Sequence, residues 1–232
     1  KVFFQNFDDM NLFIERRFVK SSIAERIPGS GIDFKKFSPI ILKERDSHSF
    51  IFLFIGRLIK DKGIFEYINA ARIIRKKYPN AVFNVMGPFW TQNLKKNTIT
   101  NTQLQHWIDE GVIEYLGEKK DVRKFIAEAD CIVLPSYREG TSNTLLEAAS
   151  MEKPTITTNA TGCKEIVSDN VTGFLCNVRD EQDLADKMEK MILLSPEERK
   201  EMGKKARQKI IKEYDKQIVI QAYLRAIREA IY

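Results

Sequence analysis

Two glutamates eight residues apart mark the part of this chain that could do chemistry. Glu139 and Glu147 lie in the segment SYREGTSNTLLEAASMEKP, which follows an apolar run, 130–135, that predicts a short buried strand ended by proline. Ser142-Asn143-Thr144 supplies capping residues for a helix that continues through 145–149. The segment therefore predicts a strand, a loop and a helix, with the two carboxylates near the start of the helix.

A helix that begins at the carboxyl end of a strand favours anionic ligands, because its first N–H groups lack partners. Carboxylates cannot bind phosphate, but they accept hydrogen bonds from hydroxyls such as those of sugars and riboses. Phosphate and hydroxyl groups are therefore the ligand chemistry that this segment predicts.

A second candidate site is the loop GRLIKDKG, which begins at Gly56 after a predicted strand and ends at Gly63 before a predicted helix. Arg57 and Lys62 place a planar fork and a point charge in this loop, and together they match a diphosphate. The loop has neither the GxxxxGK[ST] nor the GxGxxG spacing. Two cations in a loop are more often solvated surface charges, so the interpretation depends on the glutamate segment at the same sheet edge.

Helix and strand patterns alternate along most of the chain, which predicts an α/β fold with a Rossmann-like, doubly wound parallel sheet. We expect this domain at residues 50–195, preceded by a different segment at 1–49 with a linker at 34–46, and followed by C-terminal helices at 196–232. Strands are predicted over 2–6, 24–28, 49–55, 81–86, 112–116, 130–135, 154–158 and 173–176. Helices are predicted over 8–18, 63–78, 102–110, 122–129, 145–149, 164–168, 181–194, 196–214 and 216–231.

Composition argues against several other functions. The net charge of +6 comes from 38 basic and 32 acidic residues that are interleaved, which favours a solvated surface over nucleic-acid binding. Cys131, Cys163 and Cys176 lack CxxC spacing and are expected to be free, buried thiols. The two histidines, His48 and His106, lie far apart and support neither a metal site nor a catalytic triad.

Four ordered stretches resemble the family 4 glycosyltransferases, which have the two-domain GT-B architecture. They are IPGSGIDFKKF (27–37), FIGRLIKDKG (54–63), ADCIVLPSYREGTSNTLLEAASMEKPTITT (129–158) and TGCKEIVSDNVTGFL (161–175). The resemblance implies that residues 1–30 are the last strand and helix of an N-terminal domain and that the chain, which opens at Lys1, is a donor-binding half-enzyme, inactive alone. It also implies that the helix at 216–231, with Ile218, Ala222, Leu224, Ile227 and Ile231, packs on that N-terminal half; packing on its own domain is the alternative.

The resemblance also implies a role for each site residue. Arg57 and Lys62 would neutralise the diphosphate of a nucleotide-sugar donor, Glu139 would face the transferred sugar, and Glu147 would bind the ribose hydroxyls. The backbone N–H groups of Gly140, Thr141, Ser142, Asn143 and Thr144 would meet the distal phosphate, and the segment 117–122 would hold the base. The family often has two glycines where this chain reads Thr161-Gly162-Cys163.

The implied activity is transfer of a hexose or N-acetylhexosamine from a UDP-sugar, with retention and without a metal or other cofactor. The implied acceptor is a glycan or a lipid-linked sugar of a bacterial surface polysaccharide. A nucleotide-sugar epimerase and a non-catalytic nucleotide-sugar-binding module are the alternatives. The expected location is the cytoplasm, including contact with the inner face of its membrane.

Overall fold

The computed structural model describes residues 1–42, 49–89 and 97–231 and contains two parallel sheets surrounded by helices. The strands are β1 (Val2–Phe4), β2 (Ala24–Arg26), β3 (Ile51–Ile55), β4 (Val82–Met86), β5 (Glu114–Tyr115), β6 (Cys131–Leu134), β7 (Thr155–Thr158) and β8 (Gly173–Cys176). The helices are α1 (Phe7–Glu15), α2 (Ile64–Lys77), α3 (Asn101–Asp109), α4 (Arg123–Glu128), α5 (Asn143–Ser150), α6 (Glu181–Leu193), α7 (Pro196–Glu213) and α8 (Lys216–Ile231).

The larger sheet has the order β5-β4-β3-β6-β7-β8, and all of its strand pairs are parallel. Counted from β3, this is the order 3-2-1-4-5-6 of doubly wound nucleotide-binding sheets, which confirms the predicted fold class. The order reverses between β3 and β6. The loops that leave their carboxyl ends therefore open a crevice at that edge.

The central strands β3 and β6 of the larger sheet are apolar because helices cover both of its faces. Phe52, Leu53 and Phe54 of β3 are at most 1% exposed, and all four residues of β6 are buried as well. The helix α7 packs on α5 and contributes Met202 to the same core. Within the described part of the chain, no helix is both long enough and apolar enough to cross a bilayer.

Most predicted elements are confirmed to within three residues at each end, including the start of α7 at Pro196. The predicted helix over 164–168 is wrong, because these residues form turns. The Lys164 N–H bonds to the carbonyl of Ala160, but the Ser168 N–H bonds to the hydroxyl of Thr172 at 2.8 Å. That side-chain acceptor replaces the carbonyl that a continuing helix would offer. Residues 34–42 of the predicted linker contain neither helix nor strand, and 43–46 and His48 lie outside the described residues.

The two-stranded sheet, β1 and β2, forms a small unit together with α1 and α8. The α8 residues Val219 and Ala222 pack on Ile27, and the ring of Tyr223 contacts that of Phe3. Of the apolar α8 residues singled out from the sequence, only Ala222 is buried, since the four others are 40–69% exposed. Ala222 thus takes part in the contact with the N-terminal strands, and packing of the other four residues on an N-terminal half stays a prediction.

We predict that Gly63 is required for the two loops of the crevice to meet. An added Cβ at Gly63 (φ +75°) would lie 2.1 Å from the Pro135 carbonyl oxygen, whereas one at Gly117 (φ +73°) would meet no atom within 4 Å. Gly117→Ala should cost about 1–2 kcal/mol of unfolding free energy from left-handed strain alone. Gly63→Ala should cost a further 1–3 kcal/mol, roughly, from the backbone clash. Urea denaturation of both variants measures the difference, and equal costs would contradict the close approach.

Candidate functional site

The loops after β3 and β6 are in direct contact at the switch point of the sheet. The Asp61 carbonyl accepts the Tyr137 N–H at 2.8 Å and the Ser136 hydroxyl at 3.0 Å. Beside this contact lies an open cavity of about 390 Å³ whose lining includes the predicted residues Arg57, Lys62, Glu139 and Gly140. The structure thus brings the loop at 56–63, the cationic loop, into contact with Glu139.

Lys62 and Glu139 form an ion pair across the two loops. Their side chains are only 19% and 11% exposed, so water screens this pair less than a surface pair. Arg57 is exposed on the same cavity, and no described residue bonds to its guanidinium. Among the cations that line the cavity, Lys62 and Arg138 are paired with carboxylates, whereas Arg57 has no partner among the described residues.

The N-terminus of α5 faces the loops after β3 and β6. The Ser142 hydroxyl caps the helix by accepting the Leu145 N–H, and the Thr144 hydroxyl donates to the Ile55 carbonyl at the end of β3, at 3.2 Å. Within the described residues, the main-chain N–H groups of Gly140, Thr141, Asn143 and Thr144 have no hydrogen-bond acceptor. These donors, together with the helix dipole, make the loop a suitable site for an anion.

Glu147 lies one turn into α5 and is largely buried. Burial raises the pKa of its carboxyl to about 7, and the charge of Lys36 opposes that shift only in part. No donor among residues 1–42, 49–89 and 97–231 makes a hydrogen bond to this carboxylate. A ligand with hydroxyl donors would supply the partners that the protein does not.

Two structural roles that a glutamate in this loop could play are absent for Glu139 among the described residues. Arg138 pairs with Asp9 rather than with Glu139, and Ser142 itself caps α5. Glu139 instead contacts Lys62 through its side chain, and its N–H donates to the Thr161 carbonyl at 2.9 Å.

The loop over 161–163 approaches Glu139 with a single glycine. Gly162 has φ +78°, and an added Cβ there would lie 2.2 Å from the Glu139 carbonyl oxygen. The close approach for which the family often uses two glycines is therefore made here by Gly162, while Cys163 is buried beside it.

Residues 5–9, the N-terminal segment, cover the loop between β6 and α5 at 135–142, the glutamate loop. The sequence did not indicate this contact. Asn6 donates its amide to the Gly140 carbonyl at 3.0 Å, and Thr141 donates its hydroxyl to the Gln5 carbonyl at 3.1 Å. The Asp8 carboxylate accepts from Lys164 at 2.8 Å, and this bond holds the pKa of Asp8 below its usual value. The only local signal was the acidic first turn of α1, whose usual explanation is the helix dipole.

The remaining predicted groups lie apart from this contact. The segment 117–122 follows β5, two strands away from β3, and the Gly117 carbonyl accepts the Gly87 N–H at 3.1 Å. The three cysteines are free and buried, as predicted, and burial raises the pKa of Cys163 and of Cys176 to about 12. In the part of the chain that the structure describes, no three His, Cys, Asp or Glu side chains are grouped as metal ligands.

Comparison with known proteins gives a consistent family. The family model described as Glycosyl transferases group 1 matches residues 41–209. The chain is 30% identical over 196 residues to the capsular polysaccharide biosynthesis glycosyltransferase CapM of Staphylococcus aureus, which covers 82% of the chain and 50% of that protein.

A second relative is the N,N'-diacetylbacillosaminyl-diphospho-undecaprenol alpha-1,3-N-acetylgalactosaminyltransferase of Campylobacter jejuni, at 28% identity over 86% of the chain and 52% of that protein. The chain thus spans about half the length of these curated relatives. A crystal structure of Anabaena Alr3699/HepE in complex with UDP-glucose matches 98% of the chain and 63% of that protein, with a TM-score of 0.82 and 18% identity. That likeness shows the same fold.

We predict that Glu147 makes the stability of the ligand-free chain depend on pH. The folded chain keeps a proton on Glu147 up to about pH 7, whereas the unfolded chain loses it near the ordinary value of 4.5. Because the folded state binds more protons in this window, this carboxyl lowers the unfolding free energy as pH rises from about 5 to 7. Glu147→Gln should remove that decrease in urea denaturation curves.

The matched control is Glu201→Gln, which changes a glutamate whose side chain is 55% exposed on α7. This variant should keep the pH dependence of the parent chain. Comparing each variant with the parent also cancels the contributions of all other carboxyls, because these are the same in every chain. The same pH dependence in the parent and in Glu147→Gln would show that Glu147 is ionised at neutral pH despite its burial.

Proposed function

The chain belongs to the Glycosyl transferases group 1 family, and from this membership we propose that it binds the nucleotide-sugar donor of a glycosyltransferase. The observation that carries the proposal is the contact of Lys62 with Glu139 at the switch point of the sheet, beside the open start of α5. A phosphate-binding cation, a hydroxyl-binding carboxylate and unpaired helix N–H groups meet there, and a sugar diphosphate needs all three.

The diphosphate is the part of the donor for which the site is best equipped. Arg57 would bind it through its free guanidinium, and Lys62 would bind it as a point charge. The N–H group of Ser142, predicted to meet the distal phosphate, donates instead to the Gly162 carbonyl at 3.3 Å. The N–H groups of Gly140, Thr141, Asn143 and Thr144 would bind that phosphate. When the bond between the sugar and the phosphate breaks, negative charge builds on the leaving nucleoside diphosphate, and these fixed donors stabilise it. The two cations and the helix would supply the charge that a divalent metal supplies in other transferases, so we infer a metal-independent reaction.

Donor binding would also redistribute the ion pair. A diphosphate competes with Glu139 for the Lys62 ammonium, because both are anions within reach of the same cation. Once Lys62 turns to the phosphate, the Glu139 carboxylate is free to accept hydrogen bonds from the transferred sugar. Glu139 would thus bind the sugar only when a diphosphate is bound to Lys62.

Glu147 would accept hydrogen bonds from the ribose hydroxyls, which fits its buried carboxylate without donors. Hydrogen bonds to the charged form favour ionisation, so binding of the ribose would lower the pKa of Glu147 from about 7 and release a proton. The base would lie at 117–122, on the same edge of the sheet.

The finer identity of the reaction is proposed from the relatives. We infer UDP as the carrier, retention of the anomeric configuration, and a glycan or lipid-linked acceptor bound by the part of the relatives that this chain does not span. The transferase names of these relatives favour transfer over the epimerase and binding-module alternatives. Exposed lysines of α7, among them Lys200 and Lys205, would support contact with an anionic membrane surface that carries a lipid-linked acceptor.

We predict that the chain binds UDP with the same affinity in magnesium and in EDTA, since Arg57, Lys62 and the α5 N–H groups supply the positive charge. Isothermal titration calorimetry measures both affinities. Binding that disappears on chelation would overturn the metal-independent proposal, and no binding under either condition would overturn donor binding by the chain.

The neighbouring lysines Lys60 and Lys62 provide a matched pair of variants for the same measurement. Lys62→Gln should weaken UDP binding by about 1.5–3 kcal/mol, the scale of a hydrogen bond to a charged group. Lys60→Gln, at an exposed position of the same loop, should leave the affinity within about twofold of the parent, a difference of roughly 0.4 kcal/mol. Equal losses would mean that only the net charge of the loop matters.

We predict that Glu139→Gln separates sugar binding from phosphate binding. The change should keep or raise the affinity for UDP, because Lys62 would bind the diphosphate without first breaking an ion pair with residue 139. It should lower the preference for a UDP-sugar over UDP by about fivefold to tenfold, or roughly 1–1.4 kcal/mol. Calorimetry with both ligands measures the two effects.

Glu110→Gln breaks the surface ion pair between Glu110 and Arg72 and is the matched control. It should change neither affinity. If Glu139→Gln instead lowered the melting temperature and the UDP affinity together, Glu139 would serve the fold of the loop and not the sugar.

A further inference from the structure

A tyrosine and a buried glutamate tie the glutamate loop to α2. The Tyr137 hydroxyl donates to the Glu66 carboxylate at 2.7 Å. Glu66 belongs to the first turn of α2, next to the cationic loop, and Tyr137 lies two residues before Glu139. The contact therefore connects the two loops of the site through side chains, in addition to the backbone contact at Asp61.

The burial of the Glu66 carboxylate lowers the stability of the fold. Glu66 is 9% exposed, and its second carboxylate oxygen is buried and has no hydrogen-bond partner in the part of the chain that the structure describes. A buried polar atom without a partner costs stability, and an apolar side chain would avoid that cost. The helix dipole favours an acidic residue in the first turn of α2, but it does not require that residue to be buried. The neighbours Ile64, Tyr67 and Ile68 of Glu66 pack into the apolar core.

The outer side of Tyr137 is held as well. The guanidinium carbon of Arg179 lies 4.6 Å from the centre of the Tyr137 ring, and the other anchor of the ring is Glu66 at its hydroxyl. Tyr137 also lines the cavity that contains Glu139. Its ring therefore has a fixed position at the wall of the candidate site.

These anchors act on Glu139 through a short piece of backbone that is hydrogen-bonded at both ends. The N–H of Tyr137 bonds to the Asp61 carbonyl, and the N–H of Glu139 bonds to the Thr161 carbonyl. Only Arg138 lies between them, and its side chain is exposed. A shift of Tyr137 must therefore move the backbone that presents Glu139 to Lys62.

We propose that Glu66 and Tyr137 are positioning residues that fix Glu139 against the cationic loop, and so determine how well the site recognises the sugar of the donor. The second half of this statement rests on the proposed function, since it takes the sugar to lie at Glu139. The first half concerns the geometry of the loop and is independent of any ligand.

The test uses a double variant, Glu66→Leu with Tyr137→Phe, in the 232-residue chain. Replacing both polar partners by apolar side chains of similar shape leaves no buried carboxylate unpaired and should preserve the fold. Glu66→Gln is the second variant, because its amide oxygen can still accept the tyrosine hydroxyl.

The first measurement needs no ligand. Amide hydrogen exchange at Tyr137 and Glu139 should become at least about tenfold faster in the double variant, because the loop opens locally without its tether. In Glu66→Gln it should stay close to that of the parent chain. Unchanged exchange at both amides in the double variant would overturn the positioning role.

The second measurement compares UDP with the tightest-binding of UDP-glucose, UDP-galactose and their N-acetylated forms. The ratio of the two affinities should fall at least about fivefold in the double variant, while the affinity for UDP changes less than about twofold. Glu66→Gln should restore most of the ratio. A parallel loss for UDP and UDP-sugar would overturn the proposal in favour of a general loss of structure.

The matched control lies at the other end of α2, where the Tyr78 hydroxyl donates to Glu189 at 3.1 Å. Tyr78→Phe with Glu189→Leu removes a tyrosine–glutamate bond between α6 and the end of α2, together with the ion pair of Glu189 with Lys77. It should leave the loop exchange and the affinity ratio unchanged. If the parent chain binds neither UDP nor any UDP-sugar, the proposed function fails, and the amide exchange still decides whether Glu66 and Tyr137 hold the loop.

Discussion

The structure depends on how closely the chain can bring together two loops that leave neighbouring parallel strands. At Gly63 the backbone of the loop after β3 approaches the carbonyl of Pro135 so closely that no side chain fits between them. At Gly162 a third loop approaches Glu139 in the same way. Because these two positions carry no side chain, the backbones can approach closely, and the charged groups of the loops after β3 and β6 converge on one cavity.

Bringing charged groups together in one cavity has an electrostatic cost, and the site reduces that cost in two ways. Lys62 and Glu139 neutralise each other, so neither charge is left alone in a partly dry cavity. Glu147 has no such partner, and burial raises its pKa to about 7 instead. Both arrangements hold the site in a state that an anionic, hydroxyl-bearing ligand improves, because such a ligand supplies partners to the cation and to the carboxyl.

The sequence predicted the α/β class, nearly all of the elements and the sheet edge at which the site residues lie, because apolar runs and capping residues are local signals. It could not predict contacts that depend on tertiary distance. The Tyr137 to Glu66 bond joins residues that are 71 positions apart, and each looks unremarkable in its own element. The wrong helix over 164–168 has a local origin instead, since the Thr172 hydroxyl that accepts the Ser168 N–H lies only four residues ahead.

The N-terminal segment adds a further dependence, because it is bonded to the loop that presents Glu139. Two of its contacts are ion pairs, Asp8 with Lys164 and Asp9 with Arg138, and their side chains are 30–59% exposed. Exposed pairs of this kind contribute about 0–1 kcal/mol each and weaken as salt rises. The more durable contacts are neutral hydrogen bonds such as that from Asn6, which is 1% exposed, to the Gly140 carbonyl. The glutamate loop is therefore bonded on one side to α2 and the loop over 161–163 through backbone and buried side-chain bonds. On the other side, part of its contact with the N-terminal segment consists of exposed ion pairs that salt weakens.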